Sequence, residues 1–178
     1  MRIETNNIIV RDFERKDAEN LYRIVREKNI FRFMPDWAEN GDSPQSFYGF
    51  IDWLQSKKDS KDIYENKRYA IALSDTDEMI GMGLEDTVNE VEVAYFMSEK
   101  YQRKGYTKEA VNALVDWCFD ISDIKYLILT IDCANIPSCN LAEKCDFELF
   151  EKRTPIAHKQ PNMESDSYFY YRKYKKLS

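Results

Sequence analysis

Residues 95–110 read YFMSEKYQRKGYTKEA, and the reading of this stretch decides the fold. Tyr95-Phe96-Met97 has the character of the apolar end of a strand. A polar turn with one glycine, Gly105, follows, and then a helix whose first turn comes after two cations. Backbone N–H groups at a helix start have no intrahelical acceptors, so a glycine-bearing turn leading into them forms a concave set of donors suited to phosphate. Gln102-Arg103-Lys104-Gly105-Tyr106-Thr107 therefore reads as a pyrophosphate cradle, with Arg103 and Lys104 as mobile positive charge beside it. The plainer reading is a strand-to-helix connection with solvated charges, and the surrounding elements decide between the two.

Working outward toward the C-terminus, Thr107 to Phe119 places Ala110, Val111, Leu114, Val115 and Cys118 on one stripe, which predicts an amphipathic helix. Tyr126 to Ile131 is a nearly continuous apolar run, the pattern of a strand covered on both faces and entered by a helical crossover. Strand, turn, helix and strand make a βαβ unit with the cradle at a carboxyl strand end, where open sheets bind ligands. Toward the N-terminus, Val91–Met97, Met79–Leu84 and Tyr69–Leu73 read as a meander. Its first two strands form a hairpin around Ser74-Asp75-Thr76-Asp77. Ile8-Ile9-Val10 followed by Arg11-Asp12-Phe13 reads as a first strand, and Asp17 to Lys28 as one amphipathic helix. Asn29 to Trp37 is an aromatic, proline-broken loop, and its Phe31, Met34 and Trp37 are candidate substrate contacts. The alternative is that Phe31, Phe33 and Trp37 cover the core between helices. Ser43-Pro44 offers an N-cap and first-turn proline for a second helix containing Phe47, Phe50, Ile51, Trp53 and Leu54.

The chain has 178 residues, 43% hydrophobic and 14% aromatic, enough for one well-buried domain spanning 1–178. With 26 basic against 32 acidic residues and net charge -6, there is no overall attraction to nucleic acid or to an anionic membrane. No stretch has the apolar length of a membrane span, and the opening residues lack a signal-type apolar core, so the expectation is a cytoplasmic protein. Cys118, Cys133, Cys139 and Cys145 are too few for a disulfide framework. With His158 as the one histidine, they do not form a zinc pattern, so no metal is expected.

The second informative stretch is Asn135 to Phe147, NIPSCNLAEKCDF. Asn135 can cap a helix with Pro137 in its first turn, ending near Asp146 before a strand at Phe147–Lys152. With this pattern in place, the chain resembles the GNAT superfamily of N-acetyltransferases, and within it the branch of ribosomal-protein N-terminal acetyltransferases. The likeness rests on the turn Gln102–Thr107, on Asn135-x-x-Ser138 and on Glu143-Lys144-Cys145-Asp146-Phe147. It runs from Ile8 to a last strand at Ser167–Tyr171. Two positions depart from the family pattern. Thr107 stands for glycine or alanine, and Asp146 for the helix-ending glycine; aspartate tolerates the left-handed conformation required there.

The resemblance implies an α/β acyl-CoA N-acyltransferase fold: a mostly antiparallel twisted sheet of about seven strands with helices on both faces. It implies acetyl transfer from acetyl-CoA to a primary amine of a small molecule or peptide, by direct attack on the thioester, in a monomer or homodimer. Coenzyme A would be held by Gln102, Arg103, Lys104, Gly105, Tyr106 and Thr107, by backbone groups of Tyr95 and Met97, and by Asn135, Ser138 and Lys144. The tyrosine that many family members place beside the leaving sulfur corresponds to Ala142 here. Ser138 is then the candidate partner of the thiolate, its alternative being a helix-terminal serine that satisfies backbone donors. Glu92 is the candidate base, with Glu90 on the same strand face as its substitute and as a substrate contact. The alternative function is a non-catalytic acyl-CoA or peptide-binding module on the same fold.

Overall fold

The computed structural model describes residues 1–38, 41–60, 62–65, 67–87, 90–154 and 167–176. The strands are β1 (Arg2–Glu4), β2 (Ile8–Arg11), β3 (Tyr69–Leu73), β4 (Met79–Thr87), β5 (Glu90–Met97), β6 (Tyr126–Asp132), β7 (Glu148–Arg153) and β8 (Tyr168–Tyr174). They form one sheet in the order β1-β2-β3-β4-β5-β6-β8-β7, antiparallel except for the parallel pair β5–β6. The helices are α1 (Ala18–Ile24), α2 (Lys28–Phe33), α3 (Pro35–Ala38), α4 (Tyr48–Ser56), α5 (Tyr106–Ile121) and α6 (Ile136–Lys144).

Strand alternation sorts the core onto the two sheet faces. Val10, Ile71, Val93, Leu127, Leu129 and Tyr171 point toward Ala110, Leu114 and Cys118 of α5 and Cys139 and Ala142 of α6. Ala70, Met82 and Phe96 point the other way, into Leu21 and Ile24 of α1, Ile30 of α2 and Ile51 of α4. Helices thus cover both faces of the sheet. On the second face the described helices lie over its β3–β5 part.

Three expectations need correction. An eighth strand, β1, precedes the expected first one; three residues with a single apolar side chain carry no legible alternation. The helix expected over Asp17–Lys28 is two helices. α1 ends at Ile24, and Glu27 is extended (φ -65°, ψ 142°) before α2 restarts at Lys28. Residues 29–33, expected in a loop, are therefore helical. The Glu27 carboxylate explains the break: it accepts the Ser98 hydroxyl (2.7 Å) and the Glu99 N–H (2.6 Å) just past β5, pinning the start of α2 over the end of that strand. The segment Arg153–Ser165, with Pro155, His158 and Pro161, falls almost wholly outside the described residues.

A buried ion pair locks the N-terminal corner. Arg11 of β2 is 3% exposed and Asp17 1%. The guanidinium donates to both Asp17 oxygens (2.8 and 2.9 Å), to Asp77 Oδ1 (2.7 Å) in the β3–β4 turn, and to the carbonyls of Asp12 (3.0 Å) and Asp77 (3.3 Å). Burial works against the Asp77 charge, but hydrogen bonds from Lys16 and Arg11 outweigh it and hold this carboxyl below its ordinary 3.8. A depressed carboxyl contributes stability above its ordinary value and loses that contribution as pH falls through its folded value. We therefore expect Asp77→Asn to lower the melting temperature at pH 7, by an amount that shrinks as the pH is taken down through the folded value of this carboxyl. Melting curves from pH 7 into the acid range check this, and a loss that stays constant throughout would refute it.

Candidate acyl-transfer site

Three features meet at the carboxyl ends of β5 and β6. The first is the loop after β5. A tight turn at Glu99–Tyr101 leads to Gln102, then to Arg103 at φ 60° and Gly105 at φ 87°, both left-handed, and α5 begins at Tyr106. Left-handed residues on either side of one with negative φ can turn successive N–H groups to one side, the arrangement of an anion-binding concavity. The bond that closes the first turn of α5 runs from the Glu109 N–H to the Gly105 carbonyl (3.0 Å), so the N–H groups of Tyr106, Thr107 and Lys108 precede it at the helix mouth. The space beside Gly105 is open: a Cβ there would meet nothing within 4 Å. Arg103 is a non-glycine residue in a conformation costing about 1 kcal/mol, strain that concentrates at functional loops. The Glu109 carboxylate anchors the helix start to the β1–β2 turn through the Asn7 N–H and side-chain amide, both at 2.9 Å.

The second feature is the parting of β5 from β6. Their register comprises the single pair Glu92↔Ile128. β5 meets β4 with Tyr95 opposite Gly83 but Glu92 opposite Glu85, which places one extra residue on β5 at Val93–Ala94. A bulge of this kind bends its strand, and β5 leans away from β6 beyond it. Below the parting, Glu90 is held by the hydroxyls of Tyr126 (3.0 Å) and Tyr170 and by Arg172 (3.6 Å).

The third feature is a cleft of about 190 Å³ that the parting opens. Glu92, Ala94 and Tyr95 of β5, Leu129 to Asp132 of β6, Asn135 and Ser138 at the start of α6, Arg32 to Met34 from α2 and its end, and Tyr168 of β8 line it. Glu92 reaches across the gap to accept the Thr130 N–H (2.9 Å). The Tyr95 hydroxyl donates to the Ser138 carbonyl (3.5 Å), and burial raises the pKa of this phenol. Asn135 caps α6 by accepting the Ser138 N–H (3.3 Å).

The structure thus gathers Glu92, Tyr95, Asn135, Ser138 and Met34 around one cleft, with Arg103 to Thr107 at the adjoining helix mouth. Other expected residues lie elsewhere. Gln102 turns its side-chain amide back to the Met97 carbonyl (2.9 Å), and neither residue lines the cleft. Phe31 is 46% exposed and away from the cleft, because the unexpected helix α2 turns it outward. Trp37 packs edge-on against Phe50 (5.5 Å) and Phe96 (5.8 Å) in the second core, the core-covering alternative of the sequence reading. Glu90 is absorbed by its tyrosine and arginine partners. Lys144 is exposed in the last turn of α6, outside the cleft. Cys139 is buried and its thiol pKa raised by desolvation, which disfavours a nucleophilic thiolate. Among the described residues no group of three metal-ligating side chains occurs. Arg32, Thr130, Asp132 and Tyr168 line the cleft without having been singled out from the sequence. The one legible signal was the polar alternation Thr130, Asp132 at the end of an otherwise apolar strand.

Residues 7–148 match the family model described as the acetyltransferase (GNAT) domain. The chain belongs to the GNAT acetyltransferase family. Among curated relatives, the acetyltransferase is 25% identical over 179 residues to the uncharacterized N-acetyltransferase YnaD of Bacillus subtilis strain 168, covering 96% of this chain and 95% of the relative. Solved structures that share its fold include two acetyltransferases. RimL, a ribosomal alpha-N-protein acetyltransferase solved in complex with coenzyme A, superposes with a TM-score of 0.81 at 16% identity over 98% of both chains. MccE, a microcin self-immunity acetyltransferase solved with acetyl-CoA and AMP, gives 0.79 at 18% identity over 96% and 94%. Acetyl-CoA is the cosubstrate of this acetyltransferase. No helix among the described residues is long and apolar enough to cross a membrane.

Proposed function

We propose that the chain, acting as one domain in the cytoplasm, acetylates the primary amine of a small molecule or a peptide N-terminus. One observation carries the reading: the edges of β5 and β6 part into a cleft that Glu92 and Ser138 both line, next to the open helix mouth at Gly105. Acetyl-CoA, when bound, supplies an activated thioester carbonyl. The amides of residues 103–107 and the cations Arg103 and Lys104 hold its diphosphate. The free edge of β5 at Tyr95 pairs with the amide-bearing arm as a sheet edge pairs with a strand. Glu92 takes the proton of the attacking amine, directly or through one water, and the Ser138 hydroxyl donates to the departing sulfur.

We expect Glu92→Gln to lower kcat roughly 100-fold while leaving the KM for acetyl-CoA unchanged, the scale of a lost general base. Thiol release across a panel of amines measures it, and unchanged turnover would remove Glu92 from the mechanism. Ala142, fully buried in the position where many family members carry a tyrosine, gives the binding-module reading its one support. Tight acetyl-CoA binding with no thiol release for any amine would establish that module in place of the enzyme.

A further inference from the structure

Asp132 stands out in the cleft. It ends β6 on the face of Ile128 and Thr130, and it is 9% exposed. Its Oδ1 accepts the Ala134 N–H (2.7 Å), and among the described residues it has no cationic partner. A carboxylate this deeply buried with a single neutral donor is costly, because desolvation is repaid only by an opposite charge or several hydrogen bonds. The carboxylate lines an open cleft, so a ligand can supply the missing charge. The cleft's other charges are Glu92, bound to the Thr130 N–H two residues back along the same strand, and Arg32, whose guanidinium lies over Phe33 on the opposite wall (4.8 Å). Two residues of strand span roughly 7 Å, which sets the scale of the separation between the two carboxylates.

We propose that Asp132 selects the acceptor, favouring amines that carry a second cationic group about one short aliphatic spacer from the reacting nitrogen. The proposal rests on the acetyl-transfer reading for the role of Glu92. An attacking amine gives up its proton there, so Glu92 does not retain a lasting counter-charge. Asp132 takes no part in that proton transfer and matches a cation that is not consumed by the reaction. Acceptors of this class are diamines and the side chains or termini of basic peptides.

The test uses calorimetry with 1,4-diaminobutane and 1-aminobutane titrated into the full chain, alone and with coenzyme A present, so that no turnover intervenes. The diamine is expected to bind at least tenfold tighter. Asp132→Asn keeps an acceptor for the Ala134 N–H and should bring the diamine to the affinity of the monoamine, while Glu92→Gln leaves the preference in place. In the unmodified protein the preference should also shrink as sodium chloride is raised, a readout that does not depend on any variant folding. Equal affinities for the two amines, a preference that survives Asp132→Asn, or one indifferent to salt would each overturn the assignment. Thiol release is measured separately: a diamine preference without release faults the acetyl-transfer reading and upholds Asp132 as the cation site.

Discussion

Gly105→Val is expected to weaken acetyl-CoA binding by about 100-fold or more while the protein stays folded. The two halves of this expectation have separate causes. Folding suffers only from the backbone, since φ 87° is a conformation that β-branched residues resist and a Cβ there meets no neighbour within 4 Å. A penalty of about 1–2 kcal/mol corresponds to a few degrees of melting temperature for a chain of this length. Binding suffers because a branched side chain would crowd the open space at the helix mouth, where the diphosphate is proposed to sit. Hydrogen bonds from amides to a charged oxygen contribute about 1.5–3 kcal/mol each, so losing one or two removes a factor of roughly ten to 20,000 in affinity. Gly105→Ala carries the same φ strain with a smaller obstruction and should fall between. Calorimetry with acetyl-CoA and a melting curve on the same samples decide the matter. A folded valine variant that binds as well as wild type would show that the loop is a plain strand-to-helix connection, and the proposed cofactor path would fail with it.

The sequence was legible where the chemistry is local. The glycine turn, the helix after it and the crossover to β6 are consecutive, and each carries its own signal: one glycine, one apolar stripe, one uninterrupted apolar run. Asp146 was expected to tolerate a left-handed backbone, and it sits at φ 59°. Legibility failed where distant residues decide. Glu90 shares the alternation of Glu92 and so looked equally available for chemistry, yet its carboxylate is claimed by Tyr126, 36 residues away, and Tyr170, 80 residues away. The break between α1 and α2 depends on Glu27 meeting Ser98 and Glu99, 71 and 72 residues on. That one contact turns an expected aromatic loop into a helix, sends Phe31 to solvent and brings Arg32 to Met34 to the cleft. Asp132, one residue past the apolar run, was not singled out because neither its burial nor the cleft beside it can be seen along the chain.

Asp17→Ala is expected to cost about 3–5 kcal/mol, the largest loss foreseen for any single substitution outside the site. The Arg11 guanidinium places all five of its N–H donors, two of them on Asp17. Truncating the acid leaves two donors unsatisfied beside a cation that is 3% exposed, and it also strips the Glu14 N–H of its acceptor (2.8 Å). Asp77 remains, but it is one-third exposed and shared with Lys16 (2.5 Å), so it replaces little of the lost charge. At roughly 2–4 °C per kcal/mol, the melting temperature should fall by about 10 °C or more. Arg15→Ala offers the contrast. Its pair with Asp52 is shorter (2.5 Å) but solvated, and exposed pairs of this kind add little to stability, so its melting curve should nearly overlay that of wild type. If the two variants melted together, the bidentate pair would be a surface-grade interaction, and the corner joining β2, α1 and the β3–β4 turn would owe its stability to the apolar contacts of Phe13, Ala18 and Leu21 alone.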